Sequence, residues 1–417
     1  MAASQLIRIP VVRNPNYVAN GTKSLVHMMH KYSIEPTIGR YQRRGQSLVR
    51  RQDDGSTAPI PSEDSHQDAY YLCPVQIGNP AQTLHLNFDS GSADYWVWST
   101  LLPQRVQDRG RANGAVFFDP TQSSTFETLT GASWTITYGD QSSASGTVGT
   151  DRLQIGNIVV DSQHIELAVR LSSSLQTQPD CHGLLGLAFG HINTVRPVKV
   201  NTPLENMIAR QDIPLPLFTA YLGSFKDVAD PDKGESFYTF GGIDQSVIEA
   251  SGQEIHYVPI DNSQGFWAFA APSLVVNGQV INTPGNTAIA DTGTTLMLVA
   301  DSVCEAIYSN IPGAHFDTKI DAWVYPAETP AEHFPVLQFL VGDKPFTIEK
   351  EHIGFTTVDD SGTMIYGGIQ SRGHLLFDIW GDTFLKCVYA IFDAGNLQFG
   401  VVQRADPTPD NVAFPPQ

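Results

Sequence analysis

One short sequence pattern occurs twice in the chain and constrains its fold more than any other feature. An apolar segment runs into Asp, a hydroxyl residue, Gly and a second hydroxyl residue at Leu86–Ser92 and again at Ala288–Thr294. The two aspartates, Asp89 and Asp291, lie 202 residues apart, a separation of about one domain. A buried strand that ends on a carboxylate needs hydrogen-bond donors, and hydroxyls and a glycine turn supply them. The duplication therefore predicts two related domains whose turns meet and bring two carboxylates into one site.

A second repeated motif and the hydrophobic pattern favour an all-β protein. Gly183–Leu187 follows the first turn, and Leu376–Asp382 follows the second in the same order. Many short segments alternate apolar and polar residues, as Ser133–Tyr138 does, and this period is typical of antiparallel strands. Helical segments are few and short, and the clearest begin at Thr202 and Asp301. A chain of 417 residues is long enough to bury two cores.

Longer motifs around the two turns are similar to those of one family. In chain order they are Asn87–Val97, Trp134–Asp140, Ser142–Gly146, Gly183–Phe189, Asp261–Trp267, Asp291–Leu296 and Gly381–Lys386. Together they resemble the pepsin family of aspartic endopeptidases, of the secreted fungal penicillopepsin and aspergillopepsin type. The resemblance covers residues 66–404 in family order.

The resemblance implies a fold and a function. The fold would be the bilobal, all-β acid protease fold, with two pseudo-symmetric six-stranded lobes, a central cleft and short helices. The chain would divide into a basic prosegment and linker (1–65), an N-terminal catalytic lobe (66–245), a C-terminal catalytic lobe (246–404) and a tail (405–417). The function would be that of an aspartic endopeptidase, which hydrolyses peptide bonds at acidic pH, is made as a zymogen and uses no metal or cofactor.

The expected catalytic pair is Asp89 and Asp291. Two carboxylates about 3 Å apart cannot both ionise easily, so they share a proton over a broad acidic range. Such a pair activates a water, which attacks the peptide carbonyl while the other carboxyl protonates it. The apparent pKa values belong to the pair, so neither residue has a fixed role as acid or base.

The resemblance also assigns supporting residues to positions in this sequence. The hydroxyls that bond the outer carboxylate oxygens would be those of Ser92 and Thr294. Gly91 and Gly293 would leave room for backbone donors, and Tyr138 would be the flap tyrosine, with Trp96 as its partner. Substrate contacts are expected from the flap and from the residue after the second motif, namely Tyr138, Gly139, Asp140 and Thr295. We also predict that an acid at Asp140 pairs with a basic residue before the scissile bond.

The N-terminal segment carries a charge opposite to that of the rest of the chain. Residues 1–51 hold nine Lys or Arg and one acid, whereas the remainder holds sixteen Lys or Arg and forty-two Asp or Glu. Such a basic tail is often disordered or a nucleic-acid arm, but the apolar segments Leu6–Val12 and Leu25–Met29 favour docking on an acidic body. The resemblance makes this segment an inhibitory prosegment.

A prosegment of this charge should leave in acid. Its attraction to the enzyme is lost as Asp and Glu protonate near pH 4. We expect cleavage between Arg51 and Tyr70. In the family a prosegment cation often lies between the two catalytic carboxylates, and the candidates here are Lys31, Arg40 and Arg43.

The resemblance implies protein or peptide substrates, and we expect a secreted or vacuolar monomer that binds its own prosegment but neither nucleic acid nor membranes. Residues 1–8 lack the long apolar core of a signal peptide, so either the signal lies upstream of a truncated or misjudged start, or the protein is not secreted. We favour the first, because a prosegment needs its signal upstream.

Four cysteines leave two interpretations open. Cys73, Cys181, Cys304 and Cys387 show no metal-binding spacing. Disulfides Cys73–Cys181 and Cys304–Cys387 rank first, because each pair falls within one lobe. Buried free thiols, which pack as small apolar side chains, rank close behind.

One residue departs from the family pattern, and two other classes of function remain open. His182 stands where the family has Asp, and we expect either a satisfied core residue or a local pH-sensitive group. A catalytically inactive pepsin-like protein that binds peptides or another enzyme is one alternative, although the residues that such proteins usually lose are present. A carboxylate-pair glycosidase is the other, and the paired turns and flap motif argue against it. Proteolysis at pH 3–5 with and without pepstatin separates all three.

Overall fold

The computed structural model describes residues 6–13, 19–32, 34, 71–137, 143–173, 175–177, 179–224, 236–359 and 361–404. Within them the chain consists mostly of strands, with a few short helices. The helices are α1 (Gly21–Lys31), α2 (Gln104–Ala112), α3 (Pro203–Arg210), α4 (Gln245–Ser251), α5 (Asp301–Tyr308) and α6 (Asp382–Leu385). Among these helices none is long and apolar enough to cross a membrane. The all-β prediction is confirmed.

Of the first eleven strands, two belong to the N-terminal segment and nine to the N-terminal lobe. They are β1 (Ile9–Pro10), β2 (Val12–Arg13), β3 (Tyr71–Ile77), β4 (Gln82–Asp89), β5 (Tyr95–Trp98), β6 (Glu127–Thr137), β7 (Ser143–Ile155), β8 (Ile158–Leu171), β9 (Gly183–Gly186), β10 (Leu217–Tyr221) and β11 (Phe237–Phe240). Eight of them form one sheet in the order β2-β3-β4-β9-β5-β8-β7-β6. Strands β6 and β7 form the hairpin that carries the motif predicted to be the flap.

The remaining strands build the C-terminal lobe. They are β12 (His256–Pro259), β13 (Ala268–Ala270), β14 (Ser273–Val276), β15 (Gln279–Asn282), β16 (Thr287–Ala290), β17 (Met297–Val299), β18 (His315–Asp317), β19 (Ala322–Pro326), β20 (Leu337–Val341), β21 (Lys344–Ile348), β22 (Gly354–Thr357), β23 (Met364–Gly367), β24 (Ile369–Ser371), β25 (Asp378–Trp380), β26 (Val388–Asp393) and β27 (Gln398–Gln403). The central sheet of this lobe has the order β13-β16-β25-β17-β24.

The centres of the two lobes have the same strand arrangement. In the first lobe β4 runs parallel to β9, β9 antiparallel to β5, and β5 parallel to β8. In the second, β16 runs parallel to β25, β25 antiparallel to β17, and β17 parallel to β24. The second repeated motif of the sequence therefore supplies, in each lobe, the strand that pairs in parallel with the strand leading to Asp89 or Asp291. The main sheet has eight strands in the first lobe and five in the second, where two four-stranded sheets lie beside it.

A third, six-stranded sheet joins the lobes. Its order is β1-β11-β10-β26-β27-β12, so each lobe contributes strands and the N-terminal segment supplies one edge. Aromatic rings fill the space beneath it, and Phe218 stacks on Phe392 with ring centroids 4.4 Å apart. Strand β26 is buried along its whole length. Both faces of the sheet are therefore covered near its middle, which explains why β26 is uniformly apolar until its final Asp.

The predicted disulfides are wrong, because all four cysteines are free. In the N-terminal lobe β4 lies between β3, which carries Cys73, and β9, which Cys181 precedes. Two strand spacings of about 4.8 Å exceed the Cα separation that a disulfide spans. In the other lobe α5, which carries Cys304, packs against β19 and β24, whereas Cys387 precedes β26 in the sheet between the lobes. Three thiols are buried in apolar core, which agrees with the second interpretation.

Candidate active site

The two Asp-hydroxyl-Gly turns lie together where the lobes meet. Each turn follows a strand whose neighbour runs parallel to it, so that chain direction and turn position match in the two lobes. The backbone oxygen of Asp89 accepts a hydrogen bond from the backbone N–H of Leu187 at 2.8 Å, and the backbone N–H of Asp291 donates to Trp380 at 3.1 Å. The parallel strands therefore fix the position of the backbone that carries each carboxylate.

Hydrogen bonds between the residues after the two aspartates join the turns directly. The backbone N–H of Ser90 donates to the Thr292 hydroxyl at 3.0 Å, and the N–H of Thr292 donates to the Ser90 hydroxyl at 2.9 Å. Each hydroxyl then donates across the interface to a backbone oxygen, of Ala290 or Phe88. All of these groups are buried, so each lobe satisfies polar groups of the other. The sequence pattern predicts donors to the two aspartates, but it does not predict this cross-lobe role of Ser90 and Thr292.

The two carboxylates have equivalent donors. The N–H of Gly91 donates to Oδ1 of Asp89 at 2.8 Å, and the Ser92 hydroxyl donates to its Oδ2 at 2.6 Å. The N–H of Gly293 donates to Oδ1 of Asp291 at 3.0 Å, and the Thr294 hydroxyl donates to its Oδ2. Each of these four residues therefore donates to the aspartate of its own turn.

Glycine is required in each turn because the opposite carboxylate approaches it closely. A Cβ on Gly91 would collide with the carboxylate of Asp291, and one on Gly293 would collide with that of Asp89. A side chain at either position would therefore push the two carboxylates apart.

A lysine from the N-terminal segment lies between the carboxylates. Lys31, the last residue of α1, places its Nζ 2.8 Å from Oδ1 of Asp89 and 2.9 and 3.1 Å from the two oxygens of Asp291. Its side chain is only 6% exposed. Of the three candidate cations, Arg40 and Arg43 lie outside the described residues, and Lys31 makes the predicted contact.

The neighbouring tyrosine makes a second contact that the sequence reading missed. The Tyr32 hydroxyl donates to Oδ2 of Asp291 at 2.5 Å. Its ring packs edge-on against Phe266 and Phe377, at centroid separations of 5.7 and 6.4 Å. Tyr32 follows Leu25, Met28 and Met29 at the spacing of one helix face. This spacing is the sequence signal that could have placed Tyr32 in the same contact surface.

The apolar face of α1 covers one wall of the space between the lobes. Leu25, Met28 and Met29 are buried against the C-terminal lobe. Residues of that wall include Leu296, Leu298, Phe355, Tyr366 and Ile379. The N-terminal segment therefore covers the two carboxylates as well as the apolar surface beside them.

Burial and mutual charge move the pKa values of this cluster. Burial raises the pKa of Asp89 to about 6, against the attraction of Lys31 and with the help of the Asp291 charge. Burial would also raise the pKa of Asp291, but Lys31 and its hydrogen bonds hold that pKa well below the usual range. Burial lowers the pKa of Lys31, and the two carboxylates more than offset this, so its pKa is raised. One carboxyl of the pair thus takes up a proton far more readily than the other.

The other predicted site residues lie in different places. Trp96 is buried in the N-terminal core, stacked on Trp134 at 5.9 Å. Thr295 lies in the second turn, where its backbone oxygen accepts from the N–H of Thr383 at 3.2 Å. The flap residues Tyr138, Gly139 and Asp140 lie outside the described residues. In the part of the chain that is described, no group of three or more His, Cys, Asp or Glu is arranged to hold a metal ion.

His182 is buried directly before β9, where its backbone bonds His85 of β4 and Trp98 of β5. Its Nδ1 accepts the backbone N–H of His85 at 2.9 Å, and the two rings are 5.7 Å apart. Burial, followed by repulsion from His85, lowers the pKa of His182 to about 4. His182 is thus a core residue with a hydrogen bond, and it also titrates in the acidic range.

Known proteins are similar to this chain in sequence and in fold. The family model described as Eukaryotic aspartyl protease matches residues 70–404. Endothiapepsin of Cryphonectria parasitica is 35% identical over 384 residues, 92% of this chain and 86% of that protein. Penicillopepsin-1 of Penicillium janthinellum is 38% identical over 338 residues, 81% of this chain and 96% of that protein. A crystal structure of an aspartic proteinase from Irpex lacteus has a TM-score of 0.65 at 22% identity, covering 83% of this chain and 97% of that one.

The chain therefore belongs to the eukaryotic aspartyl protease family. It is an aspartic endopeptidase, similar to endothiapepsin and penicillopepsin-1, and hydrolyses peptide bonds. The fold expected from the resemblance is confirmed, and the inactive-protein and glycosidase alternatives are not favoured.

Proposed function

We propose that Asp89 and Asp291 are the catalytic pair of this endopeptidase and activate one water between them. The observation that carries this proposal is their mirrored environment, in which each carboxylate has one glycine N–H, one hydroxyl donor and a share of the same ammonium. Equivalent donors aimed at two adjacent carboxylates are what a pair that exchanges proton roles requires. Ser92 and Thr294 stabilise the ionised forms, and Gly91 and Gly293 permit the close approach.

Departure of Lys31 changes the charge of the site by one unit, and a single shared proton compensates for it. The pair then holds a water, takes a proton from it as it attacks the peptide carbonyl, and supplies a proton to that carbonyl. The tetrahedral diol collapses when the pair gives its proton to the leaving amine and takes one from a diol hydroxyl, which becomes the carbonyl of the new carboxyl group. The peptide bond breaks, one water is consumed, and the pair regains its single proton.

Residues 1–65 act as an inhibitory prosegment, followed by lobes at 66–245 and 246–404. Support comes from Lys31 and Tyr32, which occupy the position that the catalytic water and substrate would need. The pKa of about 6 for Asp89 gives this inhibition an acid trigger. Protonation of Asp89 removes one of the two charges that hold the Lys31 ammonium. Release cleavage is proposed between Arg51 and Tyr70, in a segment outside the described residues.

The remaining roles concern substrate. Tyr138, Gly139 and Asp140 form the tip of a flap over the cleft, Trp96 supports it, and Thr295 contacts substrate from the second turn. Asp140 pairs with a basic side chain before the scissile bond. The enzyme acts as a secreted or vacuolar monomer on protein or peptide substrates.

The catalytic assignment is tested by acidifying the full-length chain to pH 4 and following hydrolysis of a protein substrate with and without pepstatin. Asp291→Asn and Asp89→Asn should each abolish hydrolysis, because the pair can no longer exchange a proton. Asp317→Asn, at a partly exposed site on β18, is the matched control and should retain full activity. Pepstatin-sensitive activity that survives either substitution in the pair would overturn the assignment.

The prosegment is tested with Lys31→Met, which keeps the length of the side chain and removes its charge. The variant leaves the buried carboxylates without their cation, so activity should appear at a higher pH than in the wild type. Lys23→Met, on the exposed side of α1, is the control. An unchanged activation pH would refute inhibition through Lys31.

A further inference from the structure

A second pair of carboxyl groups lies directly behind the turn that carries Asp89. Asp94 follows Asp89 by five residues, and Glu166 lies on β8, level with Trp96 of β5. The two residues are only 2% and 1% exposed. Neither takes part in the proposed peptide hydrolysis. Two buried acids side by side are costly unless at least one is neutral.

One amide bridges the two carboxyls. The Nδ2 of Asn193 donates to Oδ1 of Asp94 at 3.2 Å and to Oε1 of Glu166 at 3.0 Å. The same Oδ1 of Asp94 also accepts from the backbone N–H and the hydroxyl of Thr194, at 2.8 and 2.9 Å. Asp94 therefore has the donors that an ionised carboxylate needs, whereas Glu166 has fewer.

The second carboxyl oxygen of Glu166 indicates that Glu166, rather than Asp94, carries a proton. Its Oε2 is buried and has no donor among the described residues. Both carboxyls bond the same Asn193 amide, so they lie close together in the core. Burial, followed by the charge of Asp94, raises the pKa of Glu166 well above its ordinary value. Burial raises the pKa of Asp94 as well, but the two hydrogen bonds from Thr194 counteract that rise. The Arg196 guanidinium also faces the pair and favours ionisation of Asp94 rather than Glu166. A neutral Glu166 beside an ionised Asp94 satisfies all of these contacts.

The pair is connected to the Asp89 turn through the backbone. The backbone oxygen of Asp94 accepts from Gly186 at 2.9 Å, and that of Ser92 accepts from Ala188 at 2.9 Å. Asn193, the bridging amide, also donates to the backbone oxygen of Ala93 at 3.1 Å. The hydroxyl of Ser92 in turn donates to Asp89. A displacement of Asp94 therefore moves the donor that orients the Asp89 carboxylate.

We infer that Asp94 and Glu166 are a proton-sharing carboxyl pair that positions the Asp89 turn only while Glu166 keeps its proton. Loss of that proton places a second negative charge beside Asp94 in the core, on the other side of the Asn193 amide, and the turn loses its anchor. Glu166 is a positioning residue, since it touches neither substrate nor the reacting atoms. It sets an upper pH limit to the active geometry that is separate from titration of Asp89 and Asp291.

The direction of the pH effect follows from the raised pKa. The folded chain binds the Glu166 proton more tightly than the unfolded chain does, so folding is favoured most below the unfolded pKa of about 4.5. This contribution is lost as the pH rises from there towards the folded pKa. The N-terminal lobe should therefore weaken as the solution approaches neutrality.

The variant Glu166→Gln tests this inference, because its amide stays neutral beside Asp94 and cannot lose a proton. Melting temperatures are measured from pH 4 to 8 for the full-length chain in an Asp291→Asn background, which prevents self-digestion. Glu127→Gln, at an exposed position of the same lobe, is the control. The fall in melting temperature with rising pH should be shallower in Glu166→Gln, and unchanged in Glu127→Gln. Parallel profiles for Glu166→Gln and the parent would overturn the inference.

A second measurement separates positioning from stability and from the catalytic assignment on which the inference rests. In this experiment residue 291 is the native Asp, and the acid-activated enzyme is held at pH 7 and then returned to pH 4 for assay. Glu166→Gln should keep activity near the wild-type value at pH 4 and retain more of it after neutral exposure. Glu166→Ala should lose kcat by about tenfold or more with little change in KM. Equal neutral inactivation of the wild type and Glu166→Gln would contradict the inference, whereas hydrolysis by Asp291→Asn would contradict only the catalytic assignment.

Discussion

Asp89 and Asp291 are chemically identical side chains whose pKa values the protein moves in opposite directions. Both are buried, and burial alone would raise both. Lys31 lowers the pKa of both carboxyls, and their mutual interaction raises the pKa of Asp89 and lowers that of Asp291. The Tyr32 hydroxyl, which belongs to the N-terminal segment, adds to the lowering at Asp291.

The hydroxyl of Ser92 should matter for catalysis through its bond to Asp89. Ser92→Ala removes a 2.6 Å donor to the ionised carboxylate, so the pKa of Asp89 should rise further and kcat should fall. Hydrogen bonds to charged groups contribute about 1.5–3 kcal/mol, which corresponds to a loss of about tenfold or more. The measurement is the pH profile of kcat/KM, with the exposed Ser124→Ala as control. The alkaline limb of this profile reports the higher pKa of the pair, so an unshifted alkaline limb would contradict this role.

His182 should limit stability in acid. Its pKa is lowered from 6.5 to about 4, so the unfolded chain takes up this proton first and stability falls as the pH drops through that window. In His182→Asn the amide oxygen can accept the same N–H of His85 without becoming charged. The variant should gain stability relative to the wild type on going from pH 7 to 4, on the order of 2 kcal/mol by urea unfolding. A constant difference between the two, or the same gain in the exposed His333→Asn, would contradict this explanation.

At the scale of elements, the N-terminal segment makes two different kinds of contact. Helix α1 buries apolar residues and places Lys31 between the carboxylates, whereas strand β1 pairs with β11 at the edge of the sheet between the lobes. Next to β1, the Arg8 guanidinium bonds Asp244 at 2.8 Å and lies 4.4 Å from the centre of the Phe237 ring. Hydrogen bonds to Arg8 and Ser246 outweigh burial and lower the pKa of Asp244.

These contacts should be released in order as the pH falls. Asp89, with its pKa of about 6, protonates well before Asp244, whose pKa is lowered from 3.8. The Arg8–Asp244 pair therefore makes its full contribution to stability above pH 3.8, and this contribution is lost only below that pH. Hydrogen exchange during acidification should show α1 becoming exposed before β1. Simultaneous exposure would mean that the segment leaves as one unit.

Arg8→Gln should have only a small effect at pH 5. The Arg8 side chain is 38% exposed, so its ion pair contributes about 0–1 kcal/mol after solvent screening. The expected result is slightly faster activation without a change in the activity of the released enzyme. Lys23→Gln on α1 is the control, and activation as fast as in Lys31→Met would show that β1 matters more than its exposure suggests.

At the scale of the whole molecule, the active geometry depends on both lobes. Ser90 and Thr292 bond each other across the interface, and their hydroxyls also bond backbone oxygens of the opposite lobe. Ser90→Ala and Thr292→Ala should each cost about 1–3 kcal/mol, because each leaves buried partners unsatisfied. The double variant should cost less than the sum, since the two residues share bonds. Urea unfolding of all four proteins measures the coupling, and additive losses would contradict it.

Much of the site could be predicted from a few residues. The repeated Asp-hydroxyl-Gly pattern identified both aspartates and their donors, because the residues that stabilise a buried carboxylate lie within three positions of it. The bond from Tyr32 could not be derived in the same way, because it joins residues 259 positions apart. The disulfide prediction was wrong for a related reason, since lobe membership says nothing about how many strands separate two cysteines.

Local pattern and composition were enough to establish the turns, the period of the strands, the charge of the N-terminal segment and the family. The packing of distant segments was needed to establish which cation meets the two carboxylates, that Asp94 and Glu166 lie side by side, and that the pKa of His182 is low. Those properties depend on burial and on the distance between charges. Both arise when strands that are remote in the chain pack together.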